Sequence, residues 1–372
     1  MSTGTNLTAL VAWSGFGLAL IFGAVASKAN FCTMGAVSDV VNMGNWGRMR
    51  MWLLAIAVAI IGANTLQVLG MVDLSKSIYQ RPNLNWLSFV VGGVCFGVGM
   101  TLGSGCANKT LIRIGAGSLR SLVVFVFLGI SAYMTIKGLF GQWRVSFLDP
   151  VSIDLGARGF KGQDLPTLIA NFMGLEPRTA LIATAALIAG GLLVFVFRDA
   201  RFRQNRNQVL GGLLIGILVT AGWYVSGHLG YGENPDTLET VFFGTNTRAA
   251  ESFSFVAPIA YTLELLMLWT DKSLTATFGV ASALGIILGS FAYAVATRTF
   301  NIEGFASVKD TRNHMIGGIL MGFGGVTALG CTIGQGVTGF STLALGSIIT
   351  FLSIIAGAAA TMKYLYWREM QD

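Results

Sequence analysis

Long apolar stretches broken by short polar turns run along the whole chain. A helix needs about 17–25 largely apolar residues to cross the hydrocarbon layer. Nine stretches meet or approach that length: Leu7–Ala26, Met51–Met71, Trp86–Leu102, Ser121–Phe140, Thr179–Phe197, Val209–Val225, Ser273–Thr297, His314–Leu329 and Ser341–Met362. Several are short and border Gly-rich turns, the pattern of broken or re-entrant helices. Tyr261–Thr270 is also apolar, but its neighbourhood holds Pro258 and Glu264. It reads as re-entrant or interfacial, with a tenth span as the alternative. Met1–Asn6 lacks the basic region that opens a cleavable signal peptide, so the first stretch reads as a retained span. The pattern predicts an all-α integral membrane protein with about nine transmembrane helices plus re-entrant half-helices.

Composition narrows the class further. Hydrophobic residues make up 53% of the 372 and charged residues 11%, against about 25% charged in soluble domains. A long water-soluble fold and a disordered chain are both excluded. The net charge of +7 sits in short loops between spans, not on one basic face, which argues against nucleic-acid binding. The 49 glycines suit helices that approach closely in lipid. With the N-terminus outside and nine spans, the inside segments hold 15 of the 24 Lys and Arg. Ten spans would move Arg298, Lys309 and Arg312 outside, so the positive-inside rule favours nine. Its strongest marker is RDARFRQNR at 198–206.

An internal repeat organises the chain. GGVCFGVGMTLGSGC at 92–106 aligns with GGILMGFGGVTALGC at 317–331 without a gap. Gly92, Gly93, Gly97, Gly99, Gly105 and Cys106 fall on Gly317, Gly318, Gly322, Gly324, Gly330 and Cys331. A weaker match puts Gly15 on Gly211 and Cys32 on His228. Together they predict two pseudo-symmetric halves, 1–140 and 209–372, joined by a loop, a span and a basic segment over 141–208. An odd number of spans gives the halves opposite orientations, the inverted-repeat plan of many transporters.

The repeated turns carry the candidate chemistry. GSGCANKT at 103–110 and LGCTIGQG at 329–336 each place a Gly-Cys pair at the start of a short helix. A helix N-terminus offers unpaired N–H groups and a partial positive charge, so it can hold an anion without a full counter-charge. Gly105 and Gly330 let a substrate approach the backbone. Cys106 and Cys331 can therefore touch a small anion, especially one with a soft sulfur; the plain alternative is a buried Cys acting as a small hydrophobe. Cys32 lies in SKANFCTMGA at 27–36, where Ser27, Lys28 and Asn30 interrupt apolar sequence. It lines a cavity, or it sits in an interfacial loop with Lys28 snorkelling; the residues leave both open. Lys109 holds an anion beside Cys106 or anchors at the interface. Asn108 and Gln335 can donate hydrogen bonds in the same turns. Cys95, aligned with Leu320, reads as packing and His228 as a loop residue. Glu264 binds a proton or cation, or caps an interfacial helix. No zinc spacing, ATP motif or cofactor signature is present, so neither a metal nor a cofactor is expected.

At NFCTMGA (30–36), GSGCANKTL (103–111) and LGCTIGQGVTG (329–339) the chain resembles the YeeE/YedE family of bacterial inner-membrane sulfur-compound transporters. The resemblance extends to the span pattern over nearly the whole chain. It implies an hourglass of inverted halves with helices dipping in from both faces. It implies uptake of thiosulfate past three cysteines, matched here by Cys32, Cys106 and Cys331, in a multi-pass inner-membrane protein. It also implies a cytoplasmic TusA-like sulfurtransferase as a partner, and leaves substrate choice open among sulfur and selenium compounds. The rival expectations are a transporter of sulfite, selenite or another chalcogen compound, a membrane thiol-redox or sulfur-transfer enzyme using Cys106 and Cys331, and a sulfur-anion sensor signalling through Arg198–Arg206. A transporter rather than an enzyme is the reading the motifs favour.

Overall fold

A computed structural model describes residues 2–234 and 238–371. In chain order its helices are α1 (Ser2–Ala29), α2 (Thr33–Met43), α3 (Gly47–Val68), α4 (Trp86–Leu102), α5 (Ala107–Gly115), α6 (Leu119–Lys137), α7 (Leu139–Trp143) and α8 (Leu165–Met173). They continue as α9 (Pro177–Phe197), α10 (Ala200–Gln204), α11 (Arg206–Tyr224), α12 (Val256–Met267), α13 (Phe278–Ala296), α14 (Val308–Thr327) and α15 (Leu345–Glu369). Among the described residues, sheet is confined to two small pairs, Asn83–Leu84 with Ile153–Asp154 and Tyr231–Glu233 with Thr240–Phe242. The protein is an all-α membrane protein, as the apolar pattern predicts.

Eight helical runs among the described residues are long and apolar enough to cross a membrane. They contain α1, α3, α4, α6, α9, α11, α13 and α15. The remaining long helix, α14, has 20 residues, but Lys309, Asp310 and Arg312 in its first turns shorten its apolar part. Each of the nine expected stretches thus falls on a long helix, with shifted ends. Residues 273–277 stay outside α13 because the Thr277 hydroxyl caps it, accepting from the Val280 N–H at 3.5 Å. Residues 341–344 stay outside α15 because Leu343 takes a left-handed conformation, φ 57°. The apolar segment near Glu264 is α12, only 12 residues long.

The connections gather on two faces. On one, Arg50 reaches the Phe195 carbonyl at 2.6 Å, the Asn301 N–H bonds the Ala116 carbonyl, and Arg120 bonds the Gly304 carbonyl. This basic face also carries Lys28, Arg48, Arg113 and the 198–206 run. On the opposite face, Ser77 bridges Ala250 and Asp164 bridges Ala344. The end of α12 lies there too, since Glu264 pairs with Lys137 at 2.8 Å and accepts from the Tyr133 hydroxyl at 2.8 Å. A carboxylate in an apolar helix is expensive unless paired, and Lys137 supplies the pair.

The repeated glycines explain how the centre packs. A Cβ on Gly92 would lie 2.7 Å from the Gly324 carbonyl oxygen, and one on Gly324 would lie 2.5 Å from the Gly92 carbonyl oxygen. Gly99 and Gly317 meet in the same way, each at 2.7 Å. α4 and α14 therefore cross antiparallel with backbone against backbone. The contact is reciprocal: Gly92 and Gly99 touch the repeat partners of each other, as surfaces related by a two-fold axis do. Gly97 packs on Ile354 and Ala358 of α15, while its repeat partner Gly322 packs on Leu128 and Ala132 of α6.

Candidate functional site

Three helices that lead into the centre end in the same way. α1 ends with Asn30 at φ 51°, α4 is followed by Ser104 at φ 56°, and α14 by Leu329 at φ 57°. The next N–H in each case bonds a carbonyl five residues back: Phe31 to Ala26 at 2.9 Å, Gly105 to Met100 at 2.9 Å, Gly330 to Gly325 at 2.7 Å. This left-handed stop satisfies the last carbonyls of a helix and reverses the chain sharply. One residue further on stands a cysteine. Cys32, Cys106 and Cys331 each precede the first residue of a short helix: α2, α5 and the helix 332–341.

Each thiol thus sits among free N–H groups. Cys32 Sγ accepts from the Gly35 N–H at 3.5 Å, and Cys331 Sγ from the Gly334 N–H at 3.4 Å. Cys106 faces the N–H groups of Lys109 and Thr33. The three belong to one cluster. The Cys32 and Cys106 thiols are neighbours, the Thr332 hydroxyl stands beside Cys106, and Cys331 lies within electrostatic range of Cys106. Cys106 and Cys331 are fully buried and Cys32 nearly so. All four cysteines are free thiols.

The other expected residues fall around this cluster. Gly105 packs on Lys109, its missing Cβ 3.2 Å from the Lys109 Cβ, and Gly330 packs on Gln335, 3.0 Å from its Cγ. Lys109 Nζ donates to Asn30 Oδ1 at 2.7 Å, tying α5 to the turn before Cys32. Gln335 Nε2 donates to the Ala328 carbonyl, while its Oε1 meets no hydrogen-bond partner among the described residues. Asn108 is fully buried, and neither end of its amide has a partner there. The Thr33 hydroxyl is in the same position. A buried polar group left unpaired costs about 1–3 kcal/mol, so several such groups around three thiols make an unusually polar centre.

Towards the basic face, Arg48 pairs with Asp39 and lies over Gly35, while Arg113 donates to the Ser104 carbonyl at 2.7 Å. On the opposite side a cavity of about 300 Å³ runs past Tyr79, Arg81, Arg144, Glu251 and Ser254 to Leu329 and Gly330. Arg144 is held by Asp149 at 3.2 Å. Arg81, Arg144, Glu251 and Thr332 were not legible as site residues, because sequence spacing does not reveal that their loops meet. A signal for Asn30 existed: it stands two residues before Cys32, as Ser104 and Leu329 stand before theirs.

Two residues stand apart. Cys95 is half-buried where α4 crosses α14, beside Gly324. His228 is exposed, stacks on Tyr224 with ring centroids 5.0 Å apart and bonds the Met71 carbonyl. It does not begin a short helix, so it does not repeat the setting of Cys32.

A family described as sulphur transport matches residues 28–360. A protein of Spirochaeta thermophila named thiosulfate transporter TsuA is 27% identical over 365 residues, 96% of this chain and 99% of its own. An Escherichia coli protein of the same name is 26% identical over 367 residues, 96% of each chain.

Proposed function

Because this chain belongs to the sulphur transport family, we propose that it takes up thiosulfate, or a closely related sulfur-containing anion, into the cytoplasm past Cys32, Cys106 and Cys331. The observation that carries this reading is the threefold setting of a buried cysteine before the first turn of a short helix, with all three in one cluster. Helix N-termini attract an anion without trapping it in an ion pair. Thiols add weak S–H donation to oxygen or sulfur. Successive weak contacts suit conduction, since a tight site would hold the ion.

The path begins in the cavity at Arg81 and Arg144 and meets the Gly330–Cys331 turn, where Gln335 is the nearest amide. It continues past Cys106 with Thr332 and Asn108. It then reaches Cys32 and Lys109, and leaves past Arg48 and Arg113. Gly105 and Gly330 keep the backbone N–H groups open to the ion. In this reading residues 1–140 and 209–372 are inverted halves joined by 141–208, supported by the reciprocal crossing of α4 and α14. The basic face is cytoplasmic, the membrane is the bacterial inner membrane, and a TusA-like sulfurtransferase receives the anion there.

Uptake of labelled thiosulfate into proteoliposomes, with sulfate, sulfite and selenite as competitors, tests the reading. Thiosulfate is expected to enter and to be displaced least by sulfate. Cys106→Ala and Cys331→Ala are each expected to cut uptake at least about tenfold, a loss of about 1.4 kcal/mol, at unchanged protein levels. Normal uptake in both variants would overturn the cysteine path.

A further inference from the structure

The cavity that leads to Gly330 contains a carboxylate. Glu251 lies between the strand Thr240–Phe242 and α12, outside the spanning helices, and it lines the same wall as Arg81 and Arg144. Its Oε2 accepts from the Thr247 hydroxyl at 3.2 Å. Its backbone is fixed on both sides by Ser226, which accepts from the Glu251 N–H at 3.1 Å and donates to its carbonyl. Among the described residues no cation pairs with the carboxylate. Arg144 is engaged by Asp149. Arg81 stands on the same wall but forms no ion pair with Glu251 among the described residues. The other titratable groups facing it are Tyr79 from the loop after α3 and Tyr261 from α12, and neither supplies positive charge.

An unpaired carboxylate in the approach to an anion path is a physical conflict. Ionised, it repels a dianion inside a cavity with low-dielectric walls, where charge acts strongly. Neutral, it becomes a hydrogen-bond donor that an anion can use. We infer that Glu251 is a proton-binding site thermodynamically linked to the anion: the dianion occupies the cavity when Glu251 carries a proton, and binding draws one proton from the medium. This rests on the anion-transport reading above and adds a second ligand to it. Coupling of this kind is reciprocal, so the proton raises anion affinity by the factor by which the anion raises proton affinity.

Burial pushes the Glu251 carboxyl up to about 7, against the opposing bonds from Thr247 and Asn246. The sign follows. Below pH 7 the carboxyl is mostly protonated and the anion binds at full affinity. Above it the competent fraction falls about tenfold per pH unit, and the apparent affinity falls with it.

Calorimetry of thiosulfate binding to the full-length protein, in two buffers of different ionisation enthalpy, measures both quantities. The expected result is uptake of close to one proton at pH 8, and a Kd about tenfold weaker at pH 8 than at pH 6. Glu251→Gln keeps the shape and stays neutral. It is expected to bind with the pH 6 affinity at both pH values and to take up no proton. Infrared difference spectra of the ligand-free protein between pH 5 and 9 give a second readout, a protonated-carboxyl band that Glu251→Gln removes. Thiosulfate binding and uptake that are flat in pH, with no proton uptake, overturn the inference and leave the transport reading intact. Absence of thiosulfate uptake by the native protein overturns the transport reading, and the inference falls with it.

Discussion

Asn108 illustrates what one residue contributes. Its amide is fully buried without a hydrogen-bond partner among the described residues, a cost of about 1–3 kcal/mol that a packing residue would not carry. Asn108→Leu is therefore expected to raise thermal stability in detergent while lowering thiosulfate uptake severalfold. Loss of stability with unchanged uptake would assign Asn108 to packing. Cys95 is the contrasting case. It sits at a helix crossing away from the thiol cluster, and Cys95→Ala is expected to leave uptake within about twofold, a free-energy change under about 0.5 kcal/mol. At this scale much was legible. Cys106 and Cys331 stood out because a Gly-Cys pair recurred in register, and Cys95 was separated from them because its repeat partner is Leu320. Glu251 and Thr332 carried no such mark.

The elements add two features that single residues do not express. The first is the shared left-handed stop before each cysteine. A side chain at positive φ is strained by about 1–2 kcal/mol relative to glycine. Among the described residues Ser104 makes no side-chain hydrogen bond to offset this, so Ser104→Gly is expected to stabilise the protein by about 1 kcal/mol, read as a higher Tm with uptake retained. The second is the bare crossing of α4 and α14. Gly324→Val would drive a side chain against the Gly92 carbonyl and the Phe96 amide. Backbone cannot yield as a flexible side chain does, so a loss of about 3 kcal/mol, the upper end of overpacking costs, is expected, with little monodisperse protein on size exclusion. Gly190 is the control: among the described residues nothing beyond its own helix backbone and chain neighbours lies within 4 Å of the Cβ it lacks, and Gly190→Ala is expected to gain up to about 1 kcal/mol of helix propensity. Span positions were readable from the sequence to within several residues. Their ends were not, because caps such as Thr277 and the turn at Leu343 depend on single backbone conformations.

For the whole molecule the dominant quantity is charge. In the proposed uptake, carrying a dianion inward against 100 mV costs about 4.6 kcal/mol, twice the cost for one charge. Under that proposal the two arginines at the cavity raise the local anion concentration, since a cleft focuses such a field. Arg81 is exposed and no ion pair holds it among the described residues, so Arg81→Gln is expected to raise KM severalfold with kcat nearly unchanged. The effect should shrink at high ionic strength, since salt screens exposed charge over about 10 Å at 0.1 M. Equal KM values at low salt would remove Arg81 from the path.

The sequence by itself determined that the chain is helical and membrane-embedded, which stretches form its long helices and where two of the cysteine turns lie. Those follow from local quantities: hydropathy over about 20 residues, and Gly-Cys pairs repeated at a constant offset. Only the tertiary structure decided that Cys32 joins Cys106 and Cys331, and that Arg81, Arg144 and Glu251 share one cavity. It also set Gly92 against Gly324 and Gly99 against Gly317, each facing the repeat partner of the other. The reason is that these contacts join residues far apart in the chain. The length of a span fixes that a helix crosses, but which helices touch is set by backbone approach, and backbone approach leaves no local pattern until both helices are in place.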